Sequence, residues 1–122
     1  MKRKENIVKL KADSFSDRVV KMYRHLREVR GEYIISKQVL RSGTSIGANI
    51  SEGEYAQSPM DFLSKYSIAL KEANETLYWL SKLRVGDFLT EKEFASMKGD
   101  NEELIKLLTS IVKTKKQNLG LL

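Results

Sequence analysis

An all-α fold, an antiparallel up-down-up-down four-helix bundle, follows from three observations on this 122-residue chain. Apolar residues recur at alternating steps of three and four, the helical period, and nowhere with the period of two that marks a strand. Proline occurs once, at Pro59. The connections between the periodic segments run to roughly four to eight residues, which makes consecutive helices antiparallel neighbours. A chain of this length buries roughly two-thirds of its unfolded surface in a single core. We expect residues 1–12 to form a mobile basic arm and residues 13–118 the bundle, with helices at about 14–30, 36–53, 59–84 and 91–117.

The first helix starts near Asp13 or Ser14 and lines up Phe15, Val19, Met22, Leu26 and Val29 on one stripe until Gly31 stops it. Its other face carries Arg18, Lys21, Arg24, Arg27 and Arg30. The second begins after Ile35 with Ser36 as its N-cap and turns Val39, Leu40, Gly43, Ile46, Gly47 and Ile50 inward. Ser58-Pro59-Met60-Asp61 opens the third with a cap, a proline at the first helical position and an acid in the first turn. Phe62, Tyr66, Ala69, Leu70, Ala73, Leu77, Leu80 and Leu83 form its broad apolar face. Thr90 and Glu93 read as a capping box for the fourth, whose seam runs through Phe94, Met97, Leu104, Leu107, Leu108, Ile111 and Val112.

Composition removes several classes of function. There is no cysteine, so disulfides, thiolate metal sites and cysteine nucleophiles are excluded. The single histidine, His25, reads as a surface residue; Met22, not glutamate, stands three positions before it, so the Glu-x-x-His pair of a di-metal bundle cannot be assembled. We expect no metal, no cofactor and no catalytic residue. No segment approaches the roughly 18 uncharged apolar residues of a membrane span, nor does the N-terminus carry the apolar core of a secretory signal, which points to a cytoplasmic protein without membrane contact.

The helix-breaking feature is the run Arg41-Ser42-Gly43-Thr44-Ser45-Ile46-Gly47-Ala48-Asn49-Ile50-Ser51-Glu52-Gly53. A glycine inside a helix costs about 1 kcal/mol against alanine, so bare backbone must serve some purpose here. Gly43-Thr44-Ser45-Ile46-Gly47 matches the GxSxG elbow of serine hydrolases, but that elbow needs a strand before the serine and a histidine after it, and this segment has neither. The same glycines fit GxxxG, which lets helices approach closely. We expect Gly43, Gly47 and Ala48 to receive a bulky partner such as Phe62, Tyr66 or Trp79. Arg41, Ser45, Asn49 and Glu52 recur on the opposite face, and an antiparallel third helix brings Arg41 level with Glu72 and Glu75, the expected ion pair.

The residue runs themselves are family-like. Residues 36–50, with Arg41-Ser42-Gly43-Thr44-Ser45-Ile46-Gly47-Ala48-Asn49 at their centre, then Ala56-Gln57-Ser58, Asp61-Phe62, residues 70–80, Phe94 and residues 104–113, resemble the bacterial four-helix-bundle proteins encoded in ribosomal RNA intervening sequences. These are similar in turn to the accessory variability protein of diversity-generating retroelements. The resemblance covers nearly the whole chain and implies a four-helix bundle assembled as a homo-oligomer, a ring of five subunits. It also implies a basic surface that engages nucleic acid, and a reverse transcriptase or an rRNA-associated partner. It brings no catalytic residue; Arg41, Ser45, Asn49, Glu52, Glu72 and Glu75 look like shared architecture.

Charge supplies the functional expectation. The net charge is +6, and residues 1–41 hold twelve Lys/Arg against five Asp/Glu while residues 42–122 hold ten against eleven. Lys2, Arg3, Lys4, Lys9, Lys11, Arg18, Lys21, Arg24, Arg27 and Arg30, joined by Lys113, Lys115 and Lys116 near the C-terminus, are the candidate nucleic-acid contacts. No base-reading module is present, so binding to RNA or DNA would run through phosphates and be weakly selective. The alternative is an oligomeric protein-interaction scaffold, with Tyr33, Tyr55 or Tyr78 in an exposed apolar strip.

Overall fold

The computed structural model describes residues 3–122, which form four helices and no strand: α1 (Arg3–Glu28), α2 (Ile35–Glu54), α3 (Pro59–Val85) and α4 (Glu91–Asn118). Each helix packs on its two neighbours in the cycle α1, α2, α3, α4. No Cα atoms of α1 and α3, or of α2 and α4, come within 8 Å of each other among the described residues, which is the up-down-up-down arrangement. The α2–α3 interface is the most extensive and α1–α4 the least.

Three helix starts are set locally. Ser58 accepts from the Asp61 N–H (3.0 Å) with Pro59 at the first helical position, and Thr90 and Glu93 close a reciprocal capping box (3.1 and 2.8 Å). Ser36, the expected cap of α2, is not one. Glu32 takes that role from outside the helix: its carboxylate accepts the N–H groups of Ile34 (3.0 Å), Ile35 (3.0 Å) and Ser36 (2.6 Å), while the Ser36 hydroxyl donates to the Glu32 carbonyl (3.0 Å). A longer side chain reaching forward thus satisfies three orphan donors at once.

The expected mobile arm is the second correction. From Arg3 onward it is the first turns of α1, and Val8 and Ala12 are fully buried in the core. The inward series is therefore Val8, Ala12, Phe15, Val19 and Leu26, with half-buried Met22 between, and Val29 lies exposed past the helix end. On α4 the seam is kept by Met97, Leu104, Leu108, Ile111 and Val112, with Asn101 filling the intervening register; it is buried and donates to the Ala73 carbonyl (3.0 Å).

The glycines of α2 do permit close packing, but toward a different helix from the one expected. A Cβ on Gly43 would lie 2.9 Å from Val19 Cγ2, and one on Gly47 would touch the Ala12 backbone at 3.7 Å, so both face α1 rather than an aromatic of α3. Exposed Ala48 does not join them. Tyr66 meets Gly53 instead, where a Cβ would stand 2.7 Å from its ring. Phe62 stacks on Tyr66 at 4.1 Å, and burial pushes the Tyr66 hydroxyl up to about 12, with nearby Glu5 and Glu54 adding to the shift.

Candidate nucleic-acid interface

The cations of α1 fall into two groups because a 26-residue helix is long. At about 1.5 Å rise per residue, Arg3 and Arg27 lie roughly 36 Å apart. In the first group neighbouring helices supply partners. Lys4 donates to Ser110 (2.7 Å), Lys9 pairs with Glu54, and Lys11 pairs with Glu103 (2.7 Å). Arg18 binds Asp100 (2.6 Å) and Ser96 (2.9 Å). The Glu54 contact holds the Lys9 ammonium above its ordinary value. These side chains bind α1 to α2 and α4, and three of the four have a carboxylate already in place.

The second group lies where α1 ends. Arg24 approaches Glu28 at 3.7 Å, one turn on. Arg27 donates to the Tyr23 hydroxyl (3.0 Å), its guanidinium 5.3 Å from the Tyr23 ring centre and 5.7 Å from that of Tyr33. Arg30 donates to the Asp87 (2.8 Å) and Phe88 (3.1 Å) carbonyls and lies 5.6 Å from the Phe88 ring centre. Neither Arg27 nor Arg30 makes a carboxylate ion pair among the described residues. Lys21 lines a shallow cleft of about 300 Å³ with exposed His25 and with Met22, Leu89, Glu93 and Met97.

At the opposite end Lys115 lies 4.7 Å from the Phe62 ring centre and shares a cleft of about 190 Å³ with Lys4, Glu5, Ile111 and Thr114. Lys113 is exposed and Lys116 half-buried on the same last turns of α4. Arg3 is exposed at the start of α1, and Lys2 lies outside the described residues. The candidate cations thus form two clusters, one at each end of the bundle, separated by an ion-paired middle.

The polar stripe of α2 is arranged as its spacing suggests. Arg41 pairs with Glu75 and lies 3.8 Å from Glu72, whose buried Oε2 makes no hydrogen bond. Ser45 donates to the Arg41 carbonyl (2.6 Å), Asn49 to the Ser45 carbonyl (2.8 Å), and Glu52 stands 3.8 Å from Lys65. Beneath them Thr76 donates to Ser42 (2.9 Å), which donates to the Gln38 carbonyl (3.0 Å). Arg41 is 55% exposed, so this is a surface pair, and such pairs contribute about 0–1 kcal/mol. No group of three or more His, Cys, Asp or Glu that would hold a metal ion occurs among the described residues.

Sequence reasoning passed over Tyr23 as a partner of Arg27. Their spacing of four puts them on one helix face, a signal that was readable. The return of Tyr33 to the same guanidinium, after the Gly31 turn (φ +67), was not.

The model of the 23S rRNA-intervening sequence protein family matches residues 4–110. The chain belongs to that family. It is also 51% identical to a protein of unknown function from the S23 ribosomal protein family of Bacteroides thetaiotaomicron VPI-5482, solved at 1.70 Å. The match covers 90% of this chain and 98% of that one, with a TM-score of 0.89. No curated protein matches the chain. The family is not a known enzyme family, and its name ties it to ribosomal RNA. The family match takes in both cation groups of α1 and stops short of Lys113, Lys115 and Lys116. No helix of the described residues is long and apolar enough to cross a membrane.

Proposed function

We propose that this family member is a non-enzymatic, homo-oligomeric cytoplasmic accessory protein, a ring of five, that binds RNA or DNA through phosphates without sequence specificity. The observation that carries the reading is the cluster of Arg24, Arg27 and Arg30 at the end of α1, where the hydrogen bonds of Arg27 and Arg30 go to a hydroxyl and carbonyls and neither makes an ion pair with a carboxylate among the described residues. Such partners orient a guanidinium and leave its charge in place for a phosphate. Lys113, Lys115 and Lys116 form a second contact region at the other end. Lys9, Lys11 and Arg18 contribute less, because a phosphate must displace a carboxylate to reach them. The rRNA in the family's name supports RNA over DNA, and an rRNA-associated protein or a reverse transcriptase is the protein partner.

Titration of the full chain with labelled structured RNA at two salt concentrations tests this. Tight binding at low salt that falls steeply as salt rises is expected. Affinity no greater than that of a neutral control protein at low salt ends the proposal.

A second reading, a protein-interaction scaffold, draws on apolar residues left outside the core: Tyr55 just past the end of α2 and Tyr78 and Val85 on α3 are all exposed. Pull-down from nuclease-treated lysate separates the two, since partners retained after nuclease favour the scaffold.

A further inference from the structure

We propose that Tyr33, with the Arg27 guanidinium laid against it, is a stacking platform for an unpaired nucleobase, so that the strand taken at this end of the bundle is single-stranded. The inference rests on the nucleic-acid reading above and names its substrate class. Tyr23, Arg24, Arg27, Glu28 and Tyr33 line an open cleft of about 380 Å³ where α1 gives way to α2. Tyr33 is 53% exposed and its neighbour Ile34 76%. A tyrosine kept only as a staple would gain more by burial; this one leaves ring surface in water beside a guanidinium.

An aromatic face next to arginine is the combination that single-strand sites use: every base has a π-face to stack, and the adjacent cation takes the phosphate that follows it. Arg24 also lines the cleft, and its link to Glu28 is long and exposed, at 3.7 Å. A duplex keeps its base faces stacked on one another and has nothing to offer Tyr33. Two features hold the ring in position before any ligand arrives. Gly31 takes the left-handed turn that brings the chain back, and buried Glu32 ties down the three N–H groups that follow Tyr33. Pre-ordering of that kind lowers the entropy lost on binding.

The test is fluorescence anisotropy of the full chain with labelled oligouridine, an abasic strand of equal length and a blunt RNA duplex, with oligodeoxythymidine as the arm that separates a DNA strand from RNA. Oligouridine should bind more tightly than the abasic strand and than the duplex. Tyr33→Ala and Tyr33→Leu should weaken oligouridine about 10-fold and leave the abasic strand unchanged, while Tyr33→Phe keeps wild-type affinity. Thermal melts identify any variant that fails to fold, and the leucine variant, which keeps apolar bulk without a planar face, then decides. Equal affinity for oligouridine and abasic strand, or no loss in either variant, overturns the stacking platform and leaves phosphate binding intact. Failure of the wild type to bind any of the four at low salt overturns the nucleic-acid reading as well.

Discussion

The two halves of α1 carry similar numbers of cations and use them for different purposes. From Lys4 to Arg18 the cations reach across to Ser110, Glu54, Glu103 and Asp100, and the opposite face buries Val8, Ala12 and Phe15. From Lys21 onward Arg27 and Arg30 meet tyrosines and backbone carbonyls, Arg24 has only a long exposed link to Glu28, and the opposite face runs from buried Leu26 to exposed Val29. Net charge therefore overstates what a polyanion meets. What counts is charge without a carboxylate partner, and that gathers at the end of α1.

Breaking the first half should have the largest effect. Deletion of residues 1–12 removes the buried Val8 and Ala12 contacts and should cost roughly 3–5 kcal/mol, the scale of truncating a large core side chain. Urea denaturation measures it; an unchanged midpoint would restore the mobile arm.

The carboxylate behind Tyr33 comes next. Burial pushes the Glu32 carboxyl upward, but the hydrogen bonds from Ser36, Ile35 and Ile34 together hold it below its ordinary value in the folded protein. A depressed folded value means that its stabilisation is present above the unfolded carboxylate's range and is lost as pH falls through the folded value. Glu32→Gln should cost about 1.5–3 kcal/mol at neutral pH, the worth of hydrogen bonds to a charged group. The difference between the melts of wild type and variant should narrow as pH drops; a constant gap would mean that the carboxylate's charge is not what caps α2.

A glycine pair sharpens the comparison at the middle of α1. Gly43→Ala drives a methyl against Val19, at 2.9 Å, and the overpacking should exceed the helix-propensity gain for a net loss of about 1 kcal/mol. Gly99→Ala, in exposed α4 with nothing within 4 Å, should gain up to about 1 kcal/mol. Equal shifts in thermal melts would show that α1 and α2 are not held as closely as described.

The smallest effect separates the halves by function. Arg24→Ala and Arg27→Ala should each reduce the slope of log affinity against log salt by roughly 0.7–0.9, one phosphate contact apiece. Lys11→Ala and Arg18→Ala should leave that slope nearly unchanged and each lower stability by less than about 1 kcal/mol. Slopes that fall equally in all four variants would erase the distinction.

How much of this was legible depends on the range over which each interaction acts. Pro59 with Ser58, and Thr90 with Glu93, mark helix starts through contacts three residues long, and the α3 and α4 boundaries came out within a residue. The start of α1 was missed although Val8 and Ala12 extend the stripe of Phe15 and Val19 in steps of four and three. Five charged or polar residues, Lys2 to Asn6, masked a pattern that was present. The pairing of Arg41 with Glu75 was readable, because an antiparallel neighbour and a short turn fix that register.

The candidate interface was legible only as composition. Lys9, Lys11, Arg18 and Arg27 are alike as letters, and which of them meets a carboxylate depends on side chains 45 to 92 positions away in the chain. By itself the sequence determined four antiparallel helices, the caps of α3 and α4, the close-packing role of Gly43 and Gly47, and a basic first third, all consequences of period, local hydrogen bonding and count. The tertiary structure alone decided that those glycines face Val19 and Ala12, and that Tyr33 returns to Arg27 and Phe88 to Arg30 at one end. Those outcomes depend on which surfaces come to face each other, and no local pattern encodes that.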